Sequence, residues 1–173
     1  ANHWPSQANR EETRMIAARK LVEVIEKSQI PVIVAGDFNT EERDRKNPIK
    51  DILLNDDSSL PFFDFETVYF NEYDPNETSH RGTHFYKGKW NSLDRIFIPK
   101  SHTVESCGIR GECINPLWRS YKVVKFNFML EEESYTSTGP DGDTIYVEVP
   151  KRFDPLTGLG VSDHLPVLGR FSW

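Results

Sequence analysis

Apolar positions recur at helical spacing near the start of the chain. Met15, Ala18, Val22 and Ile25, with Leu21 beside them, lie on one face of a segment that reads as a helix from Asn9 to Ser28. Asn9 stands where an N-cap belongs, with Glu12 three residues on. Arg14, Lys20, Glu23 and Lys27 are expected on the solvent side. Pro31 to Ala35 is an unbroken run rich in β-branched residues, and it reads as a strand buried on both faces that stops at Gly36. Asn47 and Pro48 open a short helix to Leu54, and residues 55–61 read as a loop. Thr83 to Tyr86 and Ser92 to Ile98, separated by Lys87-Gly88-Lys89, predict a hairpin whose second strand ends at Pro99. Residues 107–160 show little periodicity. Tyr121 to Leu130 reads as extended chain, Ser134 to Asp143 as a polar loop, and Val167 to Phe171 as a last strand.

Composition narrows the class. Of 173 residues, 37% are hydrophobic and 12% aromatic, which excludes a wholly disordered chain. The net charge of −6 argues against a broad basic surface of the kind that holds nucleic acid without specificity. It does not exclude a nuclease, whose metal site needs local carboxylates at any net charge. No apolar run approaches the roughly 18 residues that span a bilayer. Cys107 and Cys113 lack the nearby histidines of a zinc site. They form either a disulfide, which indicates an oxidising compartment, or two free thiols.

Four short motifs carry chemistry. In Gly36-Asp37-Phe38-Asn39, alternation along extended chain points Asp37 and Asn39 the same way and Phe38 into the core. Such a pair can hold a hard cation or a water, although the same residues also form ordinary turns. Leu93-Asp94-Arg95-Ile96 places an acid in an apolar strand, where it needs a partner. That partner is a histidine, or else Arg95 or Arg170. Ser162-Asp163-His164 offers an oxygen ligand beside a side chain that titrates near neutrality. His3 stands in Asn2-His3-Trp4-Pro5-Ser6.

Taken in order, these motifs resemble the endonuclease/exonuclease/phosphatase family, the fold of pancreatic deoxyribonuclease, abasic-site endonucleases, neutral sphingomyelinases and inositol polyphosphate 5-phosphatases. Asn-His-Trp-Pro-Ser with Gly88-Lys89-Trp90 resembles a bacterial subgroup, often secreted. The resemblance implies an α/β fold, a two-sheet β-sandwich flanked by helices in four layers. It implies one domain over residues 1–173, with a long insertion around 107–160 and with the N-terminal part of the sandwich absent from this chain. It implies a metal-dependent phosphodiesterase, a nuclease first. The alternatives are a phosphodiesterase or phosphatase on lipid or inositol phosphates, or an inert binding module.

The roles implied are these. His164 is the general base, oriented by Asp94, and His3 donates to a phosphoryl oxygen. Asp37 and Asn39 position the water and phosphate or hold an ion, and Asp163 ligates Mg²⁺ (or Mn²⁺ or Ca²⁺). Asn2, Ser6, Thr83, Trp90 and Arg95 face the substrate, with Lys87, Lys89 and Lys100 adding positive charge. The expected partners are the missing N-terminal segment and a nucleic acid or other phosphodiester, in a secreted or periplasmic setting. Without that segment the chain is expected to be nearly inactive.

Overall fold

The computed structural model describes residues 1–76, 82–107, 113–136 and 144–173. Its central element is a four-stranded sheet. β1 (Asn2–His3) runs parallel to β2 (Val34–Asp37). β2 pairs antiparallel with β6 (Asp94–Pro99), which pairs antiparallel with β3 (Phe62–Asp64). The order is therefore β1-β2-β6-β3. Helix α1 (Glu11–Glu26) links β1 to β2, and α2 (Phe65–Glu72) follows β3 directly. β4 (His84–Tyr86) and β5 (Lys89–Asn91) form a small hairpin. β7 (Asn115–Val123) pairs antiparallel with the last strand, β10 (Val167–Ser172). β8 (Leu130–Thr136) and β9 (Thr144–Pro150) form a separate ribbon.

Two apolar clusters flank the sheet. On one side Val34, Phe38 and Phe97 pack with Ala18, Val22 and Ile25 of α1 and with Trp4. The Phe38 ring meets both Trp4 and Phe97 edge-on, at 4.8 Å between centroids. On the other side Ile96 and Ile98 pack with Phe65, Tyr121 and, half-buried, Val167 and Phe171. Fully burying a side chain of this size contributes roughly 1.5–3 kcal/mol, so these clusters fix where the strand ends lie. Gly36 sets the spacing of β1 and β2. Its φ is +143°, and a Cβ there would stand 1.9 Å from the Asn2 carbonyl oxygen.

Several expectations are corrected. Arg14 is not solvated: it is 1% exposed and its Nη2 donates to Asp44 Oδ2 at 3.0 Å. It lies one turn before Ala18, so it continues the buried stripe, and the ion pair satisfies its charge. α1 begins at Glu11, and no side chain caps it; Asn9 turns back to Ser6. The strand after Pro31 begins at Val34 and continues through Gly36 to Asp37, with Ile33 and Ala35 only half-buried. Residues 49–53 form one π-helical turn, and Asn47 Oδ1 accepts the Lys50 N–H at 3.0 Å. The partner of β4 is not the expected Ser92–Ile98 strand but β5, which begins within the expected turn, while the expected strand is β6 and joins the central sheet. The extended segment of 121–130 divides among the end of β7, a 3₁₀ turn at Asn127–Met129 and the start of β8. Most of the expected polar loop at 134–143 lies outside the described residues, as do the glycines between the cysteines. Cys107 and Cys113 form a disulfide, with Cα atoms 6.0 Å apart. Among the described residues no helix is long and apolar enough to cross a membrane.

Candidate active site

Sheet register builds the site. In β1, β2 and β6, His3 stands opposite Asp37 and Asp37 opposite Asp94. Three chemistry-bearing residues thus form one row across the strand ends. Two carboxylates facing each other repel, and the neighbours offset that. Asp37 Oδ1 accepts the Asn39 backbone N–H at 2.8 Å, and Oδ2 accepts Asn39 Nδ2 at 2.8 Å. His3 Nε2 lies 3.6 Å from Asp37 Oδ2, on a side chain that is 78% exposed. Asn39 adopts φ 46°, a left-handed conformation that asparagine tolerates. Its Nδ2 also donates to the Trp4 carbonyl at 3.0 Å, and its own carbonyl accepts from Gln7 Nε2. The loop that follows is tied to α1 by Arg14 and Asp44.

Asp94 meets His164. His164 Nδ1 donates to Asp94 Oδ2 at 2.7 Å, and both side chains are about four-fifths buried. The hydrogen bond to Asp94 raises the imidazole pKa above its ordinary value, against the opposing effect of burial; the charges of Asp94, Asp37 and Asp163 add to the rise. Burial raises the Asp37 carboxyl, and Asp94 adds to that. Thr83, fully buried, ties the parts together. Its hydroxyl accepts the Asp94 N–H at 3.1 Å, and its carbonyl accepts the Leu165 N–H at 2.7 Å. Asp37, Asp94 and His164 each offer an atom within 4.8 Å of the others'.

The other expected residues divide. Asp163 is ion-paired to Arg152 at 2.7 Å. Burial pushes its carboxyl up, but the Arg152 hydrogen bond and charge outweigh that, and the net direction is down. Arg95 points away from the row, into Asp64 and Glu66, and its Nε donates to the Ser92 carbonyl at 3.0 Å. Lys100 pairs with Asp56 at 2.6 Å, and Lys87 lies over the Tyr86 ring. Trp90 packs edge-on against Phe85, with Lys125 Nζ 5.0 Å from its ring centre. Trp90, Lys89, Arg95 and Thr40, with Glu41, Arg43 and Lys50, line a cavity of about 550 Å³. Ser6 accepts hydrogen bonds from Asn9 and, through its carbonyl, Arg14, and Asn2 lies in β1.

Sequence reasoning missed His84. It follows Thr83, forms a bridge with His164, and its ring lies 4.7 Å from the His164 ring. Burial lowers its pKa, and the nearby His164 lowers it further. Its place beside Thr83 in the motif was the available signal.

No curated protein and no solved structure matches the chain. The family model described as "Endonuclease/Exonuclease/phosphatase family" matches residues 1–164, from β1 through the whole row of site residues. On that match, the chain belongs to the endonuclease/exonuclease/phosphatase family.

Proposed function

We propose that the chain hydrolyses phosphodiester bonds, with nucleic acid as the first substrate class, through water activated by His164. The observation that carries this is the 2.7 Å hydrogen bond between His164 and Asp94, with Asp37 opposite Asp94 in the sheet. Asp94 holds the imidazole in one tautomer, with Nε2 open to a water, and stabilises the imidazolium formed when that water gives up its proton. Asp37 and Asn39 orient the water and phosphate, and exposed His3 donates to a phosphoryl oxygen. The cavity beside Thr40 takes the nucleotide flank, where Lys89 faces phosphate and Trp90 offers a ring for stacking.

Members of this family typically depend on a divalent metal. The hard oxygens of Asp37 and Asn39 fit Mg²⁺, Mn²⁺ or Ca²⁺. Such an ion supplies positive charge to the phosphoryl oxygens. The reading includes the four-layer sandwich and export, with which the Cys107–Cys113 disulfide agrees.

The test assays bis-p-nitrophenyl phosphate, p-nitrophenyl phosphate and plasmid DNA with Mg²⁺. Diester and DNA cleavage that Asp94→Asn abolishes is expected. Cleavage of the monoester alone, or diester cleavage unaffected by Asp94→Asn, sinks the reading.

A further inference from the structure

His84 stands beside the proposed base and has no role in the steps above. Its Nδ1 is buried and has no hydrogen-bond partner among the described residues. Its ring lies 4.7 Å from that of His164, and the two residues form a β-bridge. One atom each of His84, Asp163 and His164 lies within 4.8 Å of the other two. Asp37 belongs to a different triplet, with Asp94 and His164.

The donor chemistry of the two triplets differs. Two carboxylates and one imidazole suit a hard cation or a proton relay. Two imidazoles and one carboxylate suit a borderline ion such as Zn²⁺, which binds nitrogen far better than Mg²⁺ does. The surroundings are those of a ligating set. Asp94 occupies His164 Nδ1, leaving Nε2 as the ligand atom, and a carboxylate behind a histidine orients the ring and raises its basicity towards a metal. Arg152 holds Asp163 Oδ2, leaving Oδ1 for an ion. Tetrahedral Zn²⁺ requires ligand atoms about 3.4 Å apart, against the 4.8 Å within which these three atoms lie.

We propose that His84, Asp163 and His164 form a binding site for Zn²⁺ or a similar transition-metal ion, and that occupancy withdraws His164 from catalysis. The second half rests on the proposed function; the first does not. His164 Nε2 has one lone pair. It accepts a proton from water or it binds the ion, so the bound ion inhibits.

The experiment titrates the full chain, freed of metal by chelation, with ZnCl₂ by calorimetry, and repeats the titration with Co²⁺ by visible absorption. His84→Asn and Asp163→Asn are compared with wild type, and each variant's fold is checked by circular dichroism. Saturable binding of one Zn²⁺ is expected, undisturbed by a hundredfold excess of Mg²⁺. His84→Asn is expected to weaken it on the order of 100-fold and to abolish the Co²⁺ bands, with a smaller loss in Asp163→Asn. No saturable binding, or unchanged affinity in either folded variant, overturns the site. These readouts need no substrate, so they stand apart from any failure of the phosphodiesterase reading. Where diester cleavage is measured, a rate untouched by saturating Zn²⁺ overturns the inhibitory half.

Discussion

Asp94 and Arg95 are neighbours on one strand, and they enter two acid clusters of opposite character. Asp94 faces Asp37 and His164 at the strand ends. Arg95 faces the buried Asp64 and Glu66 on the other side of the sheet. In the second cluster every carboxylate has permanent or hydroxyl partners. Arg95 supplies a fixed charge, Ser92 Oγ donates to Glu66 Oε1 at 2.7 Å, Tyr121 OH donates to it at 3.2 Å, and Thr67 Oγ1 donates to Asp64 at 2.8 Å. In the first cluster the cation is a histidine, which gains and loses its proton near neutrality. Two carboxylates held by arginine make a strut. Two carboxylates held by histidine make a site that can exchange a proton.

The largest effect expected from breaking this division is catalytic. Asp94→Asn leaves the strand intact but removes the charge behind His164, and diester hydrolysis should fall by about 10⁴-fold. At pH above the folded His164 pKa, the variant's thermal midpoint should stay near wild type. A loss under tenfold in steady-state kinetics would show that Asp94 is only another strut.

Arg95→Met should do the reverse. It leaves Asp64 and Glu66 buried without a counter-charge, and stability should fall on the order of 3–5 kcal/mol. Denaturant unfolding measures that. The acid limb of the rate profile should not move in whatever fraction stays folded.

The pH response sharpens the contrast. In the proposed mechanism His164 acts as a base only when neutral, and Asp94 first of all raises its pKa. The acidic limb of kcat/KM should therefore lie above the ordinary histidine value of about 6.5, and should shift down in Asp94→Asn. Stability follows the same proton. The folded state holds it more tightly than the unfolded chain does. The contribution is therefore complete below the unfolded value of about 6.5 and is lost as pH rises through the raised folded value. Thermal midpoints of wild type and His164→Asn, measured across that range, should converge in that contribution as pH rises.

The smallest effect is expected from Tyr121→Phe, which removes one of the donors to Glu66. It should cost about 1 kcal/mol in denaturant unfolding and leave the pH profile unchanged. A displaced acid limb would mean that the two clusters communicate through β6.

Much of the site was legible locally. Asp37 and Asn39 do come together and Phe38 is buried, but through a local turn rather than extended alternation: β2 ends at Asp37, whose Oδ1 accepts the N–H of a left-handed Asn39. An acid at position 94 in an apolar strand called for a partner. Its identity, among His164, Arg95 and Arg170, was not a local matter, since the partner comes from 70 residues away. β3 and α2 went unread because three strand residues and two helical turns leave too little periodicity to detect. Arg14 was misread because charge predicts solvent unless a counter-charge arrives, and Asp44 arrives through the fold.

By itself the amino-acid sequence determined the family motifs and their order, the amphipathic face of α1 and the buried character of β6. These follow from the period of helix and strand and from apolar burial, which act on nearby residues. Tertiary structure alone decided that β6 joins β2 and β3 rather than closing a hairpin. It alone decided that Asp94 meets a histidine while its neighbour meets two acids, and that His84 comes to rest against His164. Each of those outcomes depends on register between distant strands, where one residue of slip turns a side chain to the opposite face.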